Sequence, residues 1–290
     1  MGPTCGWRRR AGPYDMIRAG RTDADRSNPT PPHSGARVIT YEYPLNERIR
    51  TLLRLEGLFD KIAHFVRATG SLEHHVALVT LFEILEVASR ADLKVDLVQE
   101  LERQRQILLS FRNNPQISEE ALSGALYEIE QASASLLAMA GKTGQYLREN
   151  EWLMNIRSRA AIPGGACEFD LPSYHYWQNQ DAGIRQEALQ GWLKPLIPLR
   201  DALSIVLRLL RASGTAEHHT AKGGSFQLML GGSTSQMVRV SIKKSLPFMP
   251  EISANKYALN IRFIRQDLAL RQRHPDTTVD VPFDIVFCNL

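Results

Sequence analysis

The feature that most limits how this chain can fold is a change of hydrophobic period part-way along it. Up to about Arg211 apolar residues recur at spacings of three and four, and from Ser225 they alternate at a spacing of two. The first spacing lines one stripe of a helix, the second one face of a strand. An α+β fold is expected, with an antiparallel helical bundle running from the N-terminal part to the centre and an antiparallel sheet at the C-terminus.

One stretch breaks that order. From Arg37 to Tyr43, Ile39, Tyr41 and Tyr43 alternate against Val38, Thr40 and Glu42, a strand stopped by Pro44. A single strand is not stable alone, so its partners must come from the C-terminal third. The boundaries that follow are a β-domain of residues 37–44 and 222–290 enclosing a helical domain of residues 45–214. Residues 1–36, with Arg8 to Arg10, Pro29, Pro31, Pro32 and few apolar side chains, read as a disordered tail.

Within the helical part Asn46 suits an N-cap for a stripe of Ile49, Leu52, Leu53, Leu58, Phe59, Ile62 and Phe65. Further helices are expected at about 73–89, 93–111, 118–138 and 147–160, with Ser118 capping the fourth. On the 93–111 helix Leu93, Leu97, Leu101 and Leu108 form a seam, and Glu100, Glu102, Arg103 and Arg105 an exposed face. A hinge follows at 162–177, where Pro163 and Pro172 forbid a continuous helix and Gly164 and Gly165 permit a turn. Between the prolines Cys167, Phe169 and Leu171 alternate with Glu168 and Asp170, which predicts a short extended segment. The last helix, from Ile184 to Arg211, is interrupted at Pro195 and Pro198 and stopped by Gly214.

In the sheet, Phe226, Leu228 and Leu230 form one strand and Val238, Val240 and Ile242 the next, with Gly231 and Gly232 turning between them. Tyr257, Leu259, Ile261 and Phe263 give a third apolar face, and Val279, Val281, Phe283, Ile285 and Phe287 a last one. Opposite those faces, residues 236–265 carry Arg239, Lys243, Lys244, Lys256, Arg262 and Arg265 against Glu251 alone. The net charge of +4 is concentrated differently: residues 1–36 hold six arginines and three aspartates, leaving the rest nearly neutral. Only a local patch can therefore attract an acidic partner. Nucleic acid is disfavoured, because base stacking needs exposed aromatics and Tyr257 and Phe263 fall in the buried phase.

Other constellations carry less. No run of 18 apolar residues and no signal-peptide core occur, so no membrane span is expected and the cytoplasm is the expected compartment. Cys5, Cys167 and Cys288 lack metal or disulfide spacing and read as free thiols. Gly141-Lys142-Thr143 lacks the first glycine and the strand of a phosphate loop. His74-His75 and His218-His219 diverge or lack completing ligands, and read as surface histidines. No residue set points to catalysis, a metal or a cofactor.

Four blocks in order carry a resemblance: YEYPLNERIRTLLRLE from Tyr41, QELERQRQIL from Gln99, GQYLRENEWL from Gly144, and IPGGACEFDLPSYHYW from Ile162. Together the chain resembles the ZapD family of Z-ring-associated bacterial division proteins from about Val38 onward. The resemblance implies a homodimeric, non-enzymatic adaptor that binds the C-terminal tail of the division GTPase FtsZ and bundles its filaments at mid-cell. The family's tail-binding residues fall on Arg90 and Arg262, with Lys256 beside them. A third family arginine falls on Ala258, and Lys243 and Arg239 are expected to compensate.

Overall fold

A computed structural model of the chain describes residues 37–89, 92–112, 114–115, 117–231, 235–267, 272–274 and 279–290. Its elements are β1 (Val38–Pro44), α1 (Glu47–Val66), α2 (Ser71–Ser89), α3 (Leu93–Leu109), α4 (Glu119–Ala138), α5 (Gln145–Arg148), α6 (Glu151–Ala160), α7 (Pro172–Gln178), α8 (Ala182–Leu193), α9 (Ile197–Ala212), β2 (Ala216–Ala221), β3 (Ser225–Met229), β4 (Met237–Lys243), β5 (Phe248–Ala254), β6 (Ala258–Asp267), β7 (Gln272–His274) and β8 (Val281–Cys288). The fold is α+β. Two compact units form, one from the described parts of Met1–Arg50, Asn113–Ala121 and Arg208–Leu290, the other from those of Thr51–Arg112 and Leu122–Leu207.

The second unit is helical, with α2 at its centre. Leu78, Leu81, Ile84 and Leu85 of α2 are buried together with His74, Thr80 and Phe82, which is how a helix apolar on every side must sit. Polar groups on the inner faces are tied down. Glu100 of α3 turns inward rather than outward, its Oε1 accepting from Gln104 Nε2 at 2.7 Å and from Arg103 Nη2 at 2.6 Å. His74 is buried as well, not on the surface as expected. Arg185 Nε donates to its Nδ1 at 2.9 Å, so its Nε2 carries the hydrogen that meets the Ala68 carbonyl at 2.8 Å.

The hinge departs from its expected form. Residues 161–170 turn rather than extend: Gly165 N donates to Ile162 O, Leu171 N to Cys167 O, and Gly164 takes φ of 70°. Pro172 then opens α7 at its first helical turn. Leu171 packs inward, but Phe169 is 81% exposed. The buried aromatics instead come next, with Tyr174 and Trp177 stacked at 5.7 Å and Trp152 and Trp192 around them. Burial raises the Tyr174 phenol and lowers His75, and the Tyr174 hydroxyl is hydrogen-bonded to His75 Nδ1 at 2.6 Å.

The first unit holds two antiparallel sheets, ordered β1-β4-β8-β2 and β3-β6-β5, with β7 pairing the far end of β6. Tyr41↔Val240 and the rest of the β1–β4 register place the N-terminal strand where its lack of local partners required. The two sheets share one core: Val238, Val240, Ile242, Ala221, Val281, Phe283 and Ile285 from the first meet Leu259, Ile261 and Phe263 from the second. Asn46 Oδ1 accepts from Ile49 N at 2.8 Å where β1 passes into α1, a cap contributing about 1 kcal/mol.

The strands depart from expectation in four ways. The Phe226 and Val238 strands are not a hairpin, since β3 pairs with β6 and β4 with β1 and β8. Alternation fixes which face a residue takes, not which strand lies beside it. Strand β2 follows the expected helix stop at Gly214, where no strand was expected, and Gly214 lets the chain pass against β8: a Cβ there would stand 2.4 Å from Phe287 O. Strand β5 contains Pro250, whose residue parity turns its missing N–H to the free edge, since Asn255 N donates to Ala258 O. Val279, expected in the core, is exposed and precedes β8.

Candidate partner-binding face

The basic residues expected on one sheet face are divided between two. On β4 the even residues enter the core, so Arg239, Ser241 and Lys243 stand on the outer side of the first sheet. On β6 Leu259, Ile261 and Phe263 enter the core, so Asn260 and Arg262 stand on the outer side of the second. Sandwich geometry puts these two outer sides on opposite faces of the unit. Arg239 and Lys243 therefore stand on the other outer side from Arg262.

Arg239 belongs to a structural cluster. Glu42 lies opposite it on β1, and Arg211, in the last turn of α9, donates Nε and Nη2 to the two Glu42 oxygens at 2.8 and 2.7 Å. Arg239 Nε lies 3.2 Å from Glu42 Oε1, a charge contact without hydrogen-bond alignment. Burial pushes the Glu42 carboxyl up, but the Arg211 hydrogen bonds and the charges of Arg211 and Arg239 outweigh it and hold it below its ordinary value. Cys288 is buried nearby, its thiol pushed up to about 11 chiefly by burial, which keeps it protonated.

Arg262 has different surroundings. It is exposed at the centre of the second sheet, opposite Ser225 on β3 and Glu251 on β5. Asn260 follows between Gln227 and Ser253, and these residues line an open groove of about 790 Å³. Ala258 lies at the end of that row opposite Met229 and is 8% exposed. Lys256 sits in the β5–β6 turn with Nζ 4.7 Å from the Tyr257 ring centroid. Tyr257, expected to be buried, is 60% exposed because β6 begins only after it. Helix α2 ends at Ser89, and Arg90 lies outside the described residues.

A sequence profile of the ZapD family, described as a cell division protein, matches residues 53–262. The chain belongs to the ZapD family. Proteins named Cell division protein ZapD agree with it over most of their length: 66% identity over 253 residues in Aromatoleum aromaticum and 66% over 254 in Dechloromonas aromatica. One from Azoarcus sp. is 65% identical over 253 residues. Each alignment covers 87% of this chain and 98–100% of the relative. A ZapD protein has a role in cell division, and the groove lies within the part of this chain that carries the family match.

Other chemistry has little to stand on among the described residues. No group of three His, Cys, Asp or Glu is placed to hold a metal ion, and no helix is long and apolar enough to cross a membrane. Gly141-Lys142-Thr143 follows α4 rather than a strand. His218 Nδ1 meets Asp284 Oδ1 at 2.8 Å, and the His219 ring packs against Phe226 at 5.0 Å. Sequence reasoning missed Gln227 and Ser253 as residues of the groove onto which Arg262 opens. The parity of β3 and Pro250 in β5 were the available signals.

Proposed function

We propose that this chain binds the C-terminal tail of FtsZ through the outer face of its second sheet and, as a homodimer, cross-links neighbouring filaments to stabilise the Z-ring. The observation that carries this reading is the exposed Arg262 at the head of an open groove in a ZapD protein. A guanidinium presents paired N–H donors to a carboxylate, so an acidic tail segment can be held in a defined orientation. Lys256 supplies a second positive charge at the other end, and Arg90 a further contact on the strength of the family resemblance. One weak site per protomer suffices, because two sites on a dimer act by avidity and favour bundling over capture of a single filament. The protein acts by binding at mid-cell, with no catalytic step and no cofactor.

The test is binding of a fluorescent FtsZ tail peptide to wild type and to Arg262→Glu, with circular dichroism to show that the variant folds. Wild type should bind and the folded variant should not. No binding by wild type at low salt would overturn the reading. A second reading, nucleic-acid binding, draws on exposed Tyr257 with Lys256 against its ring, a pair suited to stacking on a base. It predicts affinity for single-stranded DNA or RNA that falls steeply with salt and is lost in Tyr257→Ala.

A further inference from the structure

The groove on the second sheet is not uniform along its length. At one end stand Arg262 and Glu251, in the middle Gln227, Asn260 and Ser253, and past them Met229 opposite Ala258. Met229 is 68% exposed although its strand neighbours Phe226 and Leu230 pack on the core. A thioether side chain adapts to varied apolar partners, and with Ala258 opposite it buried, Met229 offers the apolar surface at this end. From Arg262 to Ala258 is four residues of strand, or about 13 Å at about 3.3 Å per residue.

Resting on the reading that this face takes an acidic tail, we infer that Met229 forms an apolar subsite that sets which tail is accepted. The occupant is an extended peptide lying along β6. It places a carboxylate at Arg262 and an apolar side chain about four residues away on Met229. A helix rises only about 1.5 Å per residue and would need about nine residues to reach both points. Charge supports the assignment of ends. Arg262 heads the row and takes the carboxylate, while Met229, past the neutral Gln227, Asn260 and Ser253, takes the apolar side chain.

The experiment uses the FtsZ tail peptide and versions in which each apolar residue is replaced in turn by serine, titrated against the full chain, Met229→Ser and Arg262→Ala. Met229 is exposed, so its substitution should leave the fold unchanged by circular dichroism. One replacement, about four residues from an acidic position, should weaken wild-type binding about fivefold and have no effect on Met229→Ser. Such coupling between a peptide residue and a protein residue is read as a double-mutant cycle. If every serine peptide weakens Met229→Ser as much as wild type, the subsite is wrong while the tail reading stands. If wild type binds no tail peptide, the tail reading fails and the subsite fails with it.

Discussion

The two outer faces of the β-sandwich carry similar residues and put them to different use. On the first sheet Arg239 is drawn into a cluster with Glu42 and Arg211, Thr40 Oγ1 meets Ser241 Oγ at 2.8 Å, and Asp284 meets His218. Its polar side chains answer one another across strands, which stabilises the sheet and leaves little charge to offer. On the second sheet Arg262 and Glu251 are both exposed and open onto a groove with Gln227, Asn260 and Ser253. The lesson is that an outward-facing cation is not thereby a binding residue. Each arginine has a carboxylate across the strands, Glu42 for Arg239 and Glu251 for Arg262, so what separates them is exposure and the open volume beside Arg262.

The largest effect should come from the core on which both faces depend. Phe283 is 2% exposed and packs its ring 5.1 Å from both Phe226 and Phe263, joining the two sheets. Phe283→Ala should destabilise the β-sandwich by about 3–5 kcal/mol in urea unfolding. Tail binding should fall with the folded fraction. A loss below about 1 kcal/mol would mean that the sheets do not share this core, and the comparison of their outer faces would lose its frame.

Next in size is Glu42→Gln, which should cost about 2 kcal/mol because it strips the carboxylate from two arginines. Affinity per folded molecule should not change. The effect should also depend on pH. Glu42 is held below its ordinary value of 4.5, so its contribution is fully present above that value and disappears as pH falls through the lower folded-state value. Unfolding curves of wild type and Glu42→Gln should therefore converge in acid. Equal loss of stability at neutral and at strongly acidic pH would show that the Arg211 and Arg239 contacts do not hold the Glu42 charge.

Much of this architecture was legible in the residues, and the gaps have physical causes. Helical spacing marked α1 to α4, and the caps at Asn46 and Ser118 form as read, with Ala121 N donating to Ser118 Oγ at 3.3 Å. Parity told that Arg262 and Asn260 face outward. It could not tell that Arg239 faces the opposite way in space, because pairing order is decided by long-range contacts such as β1 on β4. Nor could it show that Glu42 meets Arg211, 169 residues away in sequence. Tyr257 was misplaced for a simpler reason: alternation holds only inside a strand, and the β5–β6 turn, where Asn255 Oδ1 accepts from Tyr257 N and Ala258 N, interrupts it.

The smallest effects sharpen the contrast most. Arg262→Ala should weaken tail binding about tenfold, about 1.4 kcal/mol, while moving stability by no more than about 0.5 kcal/mol, since Arg262 is exposed. Lys243→Ala removes the same charge from the other face. Lys243 is exposed at the end of β4 opposite Val38, and its substitution should leave stability within about 0.5 kcal/mol and binding within about twofold. General electrostatic attraction would make the two losses similar and both sensitive to salt, because a long-range field does not distinguish faces. A tenfold loss at Arg262 beside almost none at Lys243 requires a ligand seated on the second sheet. Equal losses would mean that the ligand reaches both outer faces, or that it responds only to net charge.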